Sequence, residues 1–266
     1  MSKPYLHIAG LGVRYGAAVA LEDISLEVGQ GERLALIGES GSGKSTLAMA
    51  VAGLLPEGAK ATGSVDFPTL GYKPRPGKDI GVLFQDPNGS LDPVMNVGDQ
   101  IAEVAMIHQG IGWTAARVRA AELLGAVQIP RPLTRLNSYP HEFSGGQKQR
   151  IALAIALAGN PSLLIADEPT SALDTVVQRH IVNLLDRLVR DNGLTLIFVT
   201  HDIALASERT DKIGVLYRGR LVEFGPAADV LGAPRHPYTR ALVDTHISLD
   251  TPRRKRLAEI DTAGLE

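Results

Sequence analysis

The stretch Gly38-Glu39-Ser40-Gly41-Ser42-Gly43-Lys44-Ser45-Thr46 stands between the apolar run Leu34-Ala35-Leu36-Ile37 and the helix-like run Leu47-Ala48-Met49-Ala50-Val51-Ala52. A G-x-x-x-x-G-K-[ST] pattern gains meaning from that setting, a strand before it and a helix after it. Gly38, Gly41 and Gly43 let the backbone curl and turn several N–H groups toward one centre. The N-terminus of the following helix adds partial positive charge there. Lys44 supplies a full charge for the outer phosphates, and Ser45 a hydroxyl suited to Mg²⁺. With Ser40, Ser42 and Thr46, these residues predict a binding loop for a nucleoside triphosphate.

Outward from this loop, four short apolar runs recur: Leu34–Ile37, Gly81–Phe84, Leu163–Ala166 and Leu194–Val199. Runs without polar alternation fit strands buried on both faces, as in a parallel sheet covered by helices. Tyr5–Arg14 and Val19–Val28 read as two further strands joined by a Gly-Ala turn. Val177, Ile181, Leu184, Leu185 and Leu188 share one helical face, and Asn192-Gly193 ends that helix. Residues 94–160 break the alternation, with helix-like segments at Val97–His108, Thr114–Ala126 and from Ser144 onward. Lys212–Phe224 carries a hairpin signal around Tyr217-Arg218-Gly219-Arg220. The pattern predicts the α/β class with an inserted helical subdomain.

Bulk composition narrows the function. The 266 residues are 44% hydrophobic, enough for a substantial core. Lys+Arg of 27 against Asp+Glu of 29, a net charge of −2, argues against non-specific nucleic-acid binding as the main task. With no cysteine, a disulfide framework, a cysteine zinc site and an iron–sulfur cluster are excluded. No run of about 18 apolar residues is present, so no transmembrane helix is expected. Met1–His7 lacks the apolar core of a signal peptide. The basic run Arg253-Arg254-Lys255-Arg256 reads as a solvated tail and is assigned no role.

Two further segments carry chemistry. Leu163-Leu164-Ile165-Ala166-Asp167-Glu168 is a buried strand ending in two carboxylates, and open α/β sheets place ligands outside the carboxyl ends of their strands. Asp167 can serve a Mg²⁺ shell, and Glu168 can accept a proton from an attacking water. Ser144-Gly145-Gly146-Gln147, inside Phe143–Arg150, has capping-box spacing. Two glycines in a helix's first turn are costly by propensity. They therefore suggest a second place where backbone N–H groups approach an anion.

Taken in order, Tyr15, the loop at 38–46, Gln85, Ser144-Gly145-Gly146-Gln147, Asp167-Glu168, Ser171-Ala172-Leu173-Asp174 and His201 resemble the motifs of an ATP-binding-cassette (ABC) transporter ATPase, from about residue 5 to 245. The resemblance implies the P-loop NTPase ABC ATPase fold, with a mainly parallel core sheet, an N-terminal antiparallel β subdomain and the helical insertion. It divides a single domain, 1–266, into a nucleotide-binding core (5–93 and 161–235), the insertion (94–160) and a C-terminal extension (236–266). It implies ATP and Mg²⁺ as ligands, with Ser45, Gln85 and Asp167 toward the metal, Asp167 through water. Tyr15 would stack on adenine, and Lys44, Gln85, Glu168 and His201 would be catalytic. Ser144–Gln147 would contact ATP held by a partner cassette, with Ser171–Asp174 as the connecting D-loop.

Phe84–Pro93, Tyr139-Pro140-His141-Glu142 and His236-Pro237-Tyr238-Thr239 resemble the peptide/nickel branch of bacterial importers. That narrower resemblance implies a second ABC ATPase subunit (a paralogue), two transmembrane permease subunits and a separate solute-binding protein, at the cytoplasmic face of the inner membrane. Peptides, nickel and metal–chelator complexes stay open as cargo. The iron–sulfur cysteines of some members are absent. The alternative is an ABC-type ATPase inside a soluble enzyme complex such as carbon–phosphorus lyase. A DNA-maintenance or translation cassette fits less well, for such chains usually carry two cassettes or a coiled-coil insertion.

Overall fold

A computed structural model describes residues 3–87, 89–169 and 175–245. The chain divides into two compact units. One ends at Lys73 and resumes at Ile197, and the other is Pro74–Leu196.

In the first unit, β1 (Leu6–Tyr15) and β2 (Ala18–Val28) form an antiparallel hairpin with Leu6 opposite Val28 and Tyr15 opposite Ala18. β3 (Arg33–Ile37) then leads through the phosphate-type loop into α1 (Lys44–Ala52), which Gly53 ends in a left-handed cap at φ 70°. β4 (Ala59–Asp66) returns to the other edge of β1, giving the order β2-β1-β4. Leu6, Ile8, Leu11 and Val13 of β1 are buried, as half-buried antiparallel strands require.

The second unit opens on β5 (Ile80–Leu83), followed by α2 (Val97–Gln109), α3 (Trp113–Ala126), α4 (Pro132–Arg135) and α5 (Gly145–Leu157). A single 3₁₀ turn at Pro140–Glu142 precedes α5. β6 (Leu163–Asp167) lies parallel to β5, with Ile80 opposite Leu163 and Leu83 opposite Ala166. α6 (Thr175–Asp191) follows, and the chain re-enters the first unit within β7 (Thr195–Val199). The expected helical stretch between 94 and 160 is helical among the described residues. Buried Gln100 holds the segment before α2 by donating to the carbonyls of Asp92 and Met95, each at 2.9 Å.

Back in the first unit come α7 (Ile203–Arg209), β8 (Lys212–Tyr217), β9 (Arg220–Pro226), α8 (Ala227–Gly232) and α9 (Pro237–Asp244). The strands stand in the order β7-β3-β8-β9. β3 and β8 are parallel, with Leu34 opposite Lys212 and Ile37 opposite Val215. β8 and β9 form the expected hairpin, whose Arg218 and Gly219 take φ 49° and 80°. Positive φ at both central residues suits the twist of a two-residue hairpin turn. Ala35 and Ile37 of β3 pack in one core with Ile213 and Val215 of β8, Ile203 and Ala206 of α7, and Tyr238 of α9.

The parallel start of β3 and β8 is tied by charge. The Arg33 guanidinium straddles Asp211, Nε to Oδ2 at 3.1 Å and Nη2 to Oδ1 at 2.8 Å, and the Arg33 N–H also donates to Oδ2 at 2.9 Å. The hydrogen bond from Arg33 holds the Asp211 carboxyl below its usual range, against an opposing push from burial. A depressed folded pKa stabilises fully above the unfolded value of about 3.9 and loses that contribution as pH falls through the folded one. Asp211→Asn is therefore expected to lower stability at pH 7 by about 1 kcal/mol or less, since the pair is partly exposed. Unfolding curves of the two proteins should converge as pH drops below about 4. A gap that persists unchanged into acid would show that the carboxylate charge is not the cause.

Candidate nucleotide site

The first unit presents the loop 38–46 at the carboxyl end of β3. Gly38 takes φ 149°, and a Cβ there would stand 2.2 Å from the Leu216 carbonyl oxygen of β8. Gly43 takes φ 104°, with a Cβ 2.8 Å from the Ala20 carbonyl oxygen of β2. At both positions the loop runs so close to a strand that only glycine fits. Gly41 takes φ 78° in open space, where it is the turn itself that favours glycine. The Gly219 N–H donates to the Ser42 carbonyl at 3.0 Å, fastening the loop to the β8–β9 turn.

Lys44 opens α1 with only 4% of its surface exposed. Its Nζ donates to the carbonyls of Gly38 at 2.9 Å and Glu39 at 2.8 Å, so the ammonium is folded inside the loop. Ser40, Gly41 and Ser45 are exposed, Thr46 is half-buried and Ser42 is buried. Fixed cation, exposed hydroxyl and helix N-terminus together form an anion cradle.

His201 follows β7, the neighbour of β3, and is exposed. The strand end beneath it is pinned, for the Thr200 N–H donates to the Leu36 carbonyl at 3.1 Å. Asp202 caps α7 by accepting from the Leu205 N–H at 3.1 Å. The phosphate loop and His201 thus leave the carboxyl ends of adjacent strands. Tyr15 closes β1, half-buried, opposite Ala18 and Ala59.

The second unit assembles the carboxylates. Extending the β5–β6 register by two residues sets Gln85 across from Glu168, and Gln85 Nε2 donates to Glu168 Oε2 at 3.3 Å. Asp167 ends β6 with 5% exposure. Glu168 takes φ 43°, the left-handed region, just before Pro169. A non-glycine residue there is strained by about 1–3 kcal/mol, and such strain gathers at functional sites. Asp167 and Gln85 also line a recess of about 610 Å³ with Phe84, Ser90 and Ile155. Oxygen donors of this kind, the Gln85 amide and the Asp167 carboxylate in this unit and the Ser45 hydroxyl in the first, are each of the type that suits a hard cation such as Mg²⁺.

Ser144 caps α5, and its N–H donates to Oε1 of Gln147, which reaches back to it at 3.0 Å. The capping reading is therefore correct for Gln147. Gly146 has a packing reason as well. A Cβ there would meet Val177 Cγ1 of α6 at 2.7 Å, so close helix approach is itself a reason for glycine. Ser171–Asp174 lie outside the described residues.

One residue that sequence reasoning passed over belongs to this site. Tyr238, quoted above only as part of a branch motif, is fully buried, and its hydroxyl accepts from the Glu39 N–H of the phosphate loop at 2.9 Å. The available signal was weak: a buried tyrosine hydroxyl usually finds a polar partner, and nothing local in the sequence named one.

Comparisons with known proteins bear on the same motifs. The family model described as "ABC transporter" matches residues 21–171, more than half of the chain. The model described as "Oligopeptide/dipeptide transporter, C-terminal region" matches residues 222–265. The oligopeptide transport ATP-binding protein of Bacillus subtilis is 42% identical over 257 residues, covering 92% of this chain and 72% of that protein. Its namesake in Mycobacterium bovis is 43% identical and covers 98% of this chain, which spans only 45% of that longer protein. Among solved structures, a dimeric ATP-binding cassette in a post-hydrolysis state, bound to ADP and phosphate, superposes with a TM-score of 0.71 at 30% identity. That match covers 84% of this chain and 98% of the other. With the phosphate loop, the carboxylate pair and the capped glycine turn on one chain, and these matches across it, the chain belongs to the ABC transporter family.

Proposed function

We propose that this chain is the ATP-hydrolysing subunit of a bacterial importer that takes up peptides. The observation that carries the reading is the coincidence in one chain of an ABC transporter match at 21–171 and an oligopeptide/dipeptide transporter match at 222–265. The carbon–phosphorus-lyase alternative draws no support from the relatives described. In this reading, 5–93 and 161–235 form the nucleotide-binding core, 94–160 the helical insertion and 236–266 the C-terminal extension.

Each residue has a role that its chemistry allows. Tyr15 stacks on adenine. The loop from Gly38 through Ser40, Gly41, Ser42 and Gly43 to Thr46 wraps the phosphates, and Lys44 offsets charge on the outer ones. Ser45, Gln85 and Asp167 would hold Mg²⁺, which would offset negative charge on the phosphates. Gln85 orients Glu168 through the bond seen between them. Glu168 accepts the proton of the attacking water, and His201 orients the γ-phosphate and the water. Ser144-Gly145-Gly146-Gln147 presents its helix start to ATP on a second cassette, with Ser171–Asp174 linking the two pockets.

ATP favours the closed pair of cassettes because the γ-phosphate touches both, and its loss on hydrolysis removes that preference. The closing motion drives two permease subunits fed by a separate solute-binding protein, and the second cassette is a paralogue. Among the described residues no helix is long and apolar enough to cross a membrane. In this reading the chain works peripherally, held at the cytoplasmic face by the permeases. Affinity purification from gently solubilised membranes should recover two membrane-spanning subunits and a second cassette in fixed stoichiometry. Recovery of a soluble enzyme complex with no membrane subunit would overturn the transport reading and leave the ATPase chemistry intact.

A further inference from the structure

The peptide plane between Gly38 and Glu39 is gripped on both sides. Its carbonyl, that of Gly38, accepts from Lys44 Nζ at 2.9 Å, and its N–H, that of Glu39, donates to the Tyr238 hydroxyl at 2.9 Å. Rotating this plane breaks both bonds and leaves the ammonium that the phosphates need held by the Glu39 carbonyl of the next peptide, without the Gly38 carbonyl that aims it. We propose that Tyr238, far along the chain on α9, is a positioning residue for the phosphate loop: its hydroxyl fixes the peptide against which Lys44 is aimed. The inference rests on reading 38–46 as the ATP phosphate loop and assigns a task to the C-terminal region, where the family match carries only a transporter label.

The support beneath Tyr238 is rigid. Its ring lies against Tyr217 with centroids 4.3 Å apart, and it is part of the core that holds Ala35 and Ile37, the strand leading into the loop. The start of α9 is fastened to β9, because the Glu223 carboxylate accepts from the N–H groups of Arg235 at 2.9 Å and His236 at 3.1 Å. The His236 Nδ1 then accepts from the Tyr238 N–H at 3.2 Å. Burial pushes the Tyr238 phenol up to about 12, so the hydroxyl stays neutral and the bond persists over the whole working pH range. Glu39 itself is exposed, and the Tyr238 hydroxyl ties its N–H to the core.

Three variants of the full chain test the inference by equilibrium binding of Mg-ATP. Tyr238→Phe keeps the ring and deletes the acceptor, and should weaken binding about five-fold, the usual worth of one hydrogen bond. In the assembled transporter the KM for ATP should rise by the same factor, with kcat held within about two-fold, the mark of lost uniform binding. Tyr217→Phe is the matched control: it deletes a neighbouring buried hydroxyl that has no hydrogen-bond partner among the described residues, and should leave binding unchanged. Lys44→Ala separates the two levels of the argument. If it loses ATP while Tyr238→Phe binds like wild type, the positioning role is overturned and the loop assignment stands. If Lys44→Ala binds normally, the loop assignment falls first. Equal weakening by Tyr217→Phe and Tyr238→Phe would mark a packing effect and overturn the proposal. Hydrogen exchange offers a reading that needs no variant. The Glu39 amide of the wild-type chain should be protected, and exchange at the rate of an open loop would overturn the inference.

Discussion

Glu168→Gln is expected to bind ATP with unchanged affinity and hydrolyse it about 100- to 10,000-fold more slowly, the span that a positioned general base contributes. The substitution keeps volume, shape and an oxygen able to take the Gln85 Nε2–H bond that Glu168 Oε2 now accepts. It leaves the left-handed backbone at φ 43° untouched, so the strain at this position is the same in both proteins. What it removes is basicity: an amide oxygen does not take a proton from water. Binding and turnover should therefore separate cleanly. Because the γ-phosphate is no longer lost, the variant mixed with its paralogous cassette should accumulate as the ATP-closed pair and elute as a dimer with ATP and as separate chains with ADP. Single-turnover hydrolysis and size exclusion of the variant check both halves. Near-normal turnover would remove Glu168 from the role of base and pass the candidacy to His201.

The strands that place Glu168 were legible because burial on both faces leaves a plain mark. Leu163–Ala166 and Leu34–Ile37 are apolar without interruption, and each is almost fully buried in the structure. β4 left no such mark. Ala59-Lys60-Ala61-Thr62-Gly63-Ser64-Val65-Asp66 alternates small non-polar residues with polar ones and has little bulk to bury. It is a strand because β1 pairs with it, from His7 opposite Asp66 to Tyr15 opposite Ala59. Pairing partners are a tertiary fact, and propensity cannot supply them. The same limit hid Tyr238, whose partner Glu39 is separated from it by 199 positions. It also hid the packing reason for Gly146, since Val177 sits on a different helix. The candidate motifs stood out in the sequence for the opposite reason. Phosphate binding needs particular residues at close spacing along the chain, so the chemistry is written locally even where its support is not.

Lys44→Ala should abolish measurable ATP binding at millimolar nucleotide without unfolding the chain. The ammonium is the one full positive charge seated inside the loop, held there by the Gly38 and Glu39 carbonyls. A charge-assisted bond to phosphate is worth roughly twice a neutral one, and burial at 4% exposure strengthens it further. Loss of such a contact, together with loss of the restraint on the loop, costs affinity about 100-fold or more. The fold has less at stake. Alanine is the best helix former, so α1 keeps its first turn. The Glu39 side of the loop is exposed, and water can reach a carbonyl that loses its donor there. The two effects are separable in one experiment. A ligand that binds only the native state raises its stability by RT ln(1 + [L]/Kd), about 2.7 kcal/mol at a hundredfold excess over Kd. Thermal unfolding of the wild type should therefore rise by several degrees on adding Mg-ATP, while Lys44→Ala should melt near the unliganded wild type and not respond to nucleotide. A variant that melts normally and still shifts with ATP would remove Lys44 from the binding site; one that melts far lower without ligand would show that the buried ammonium chiefly holds the loop together.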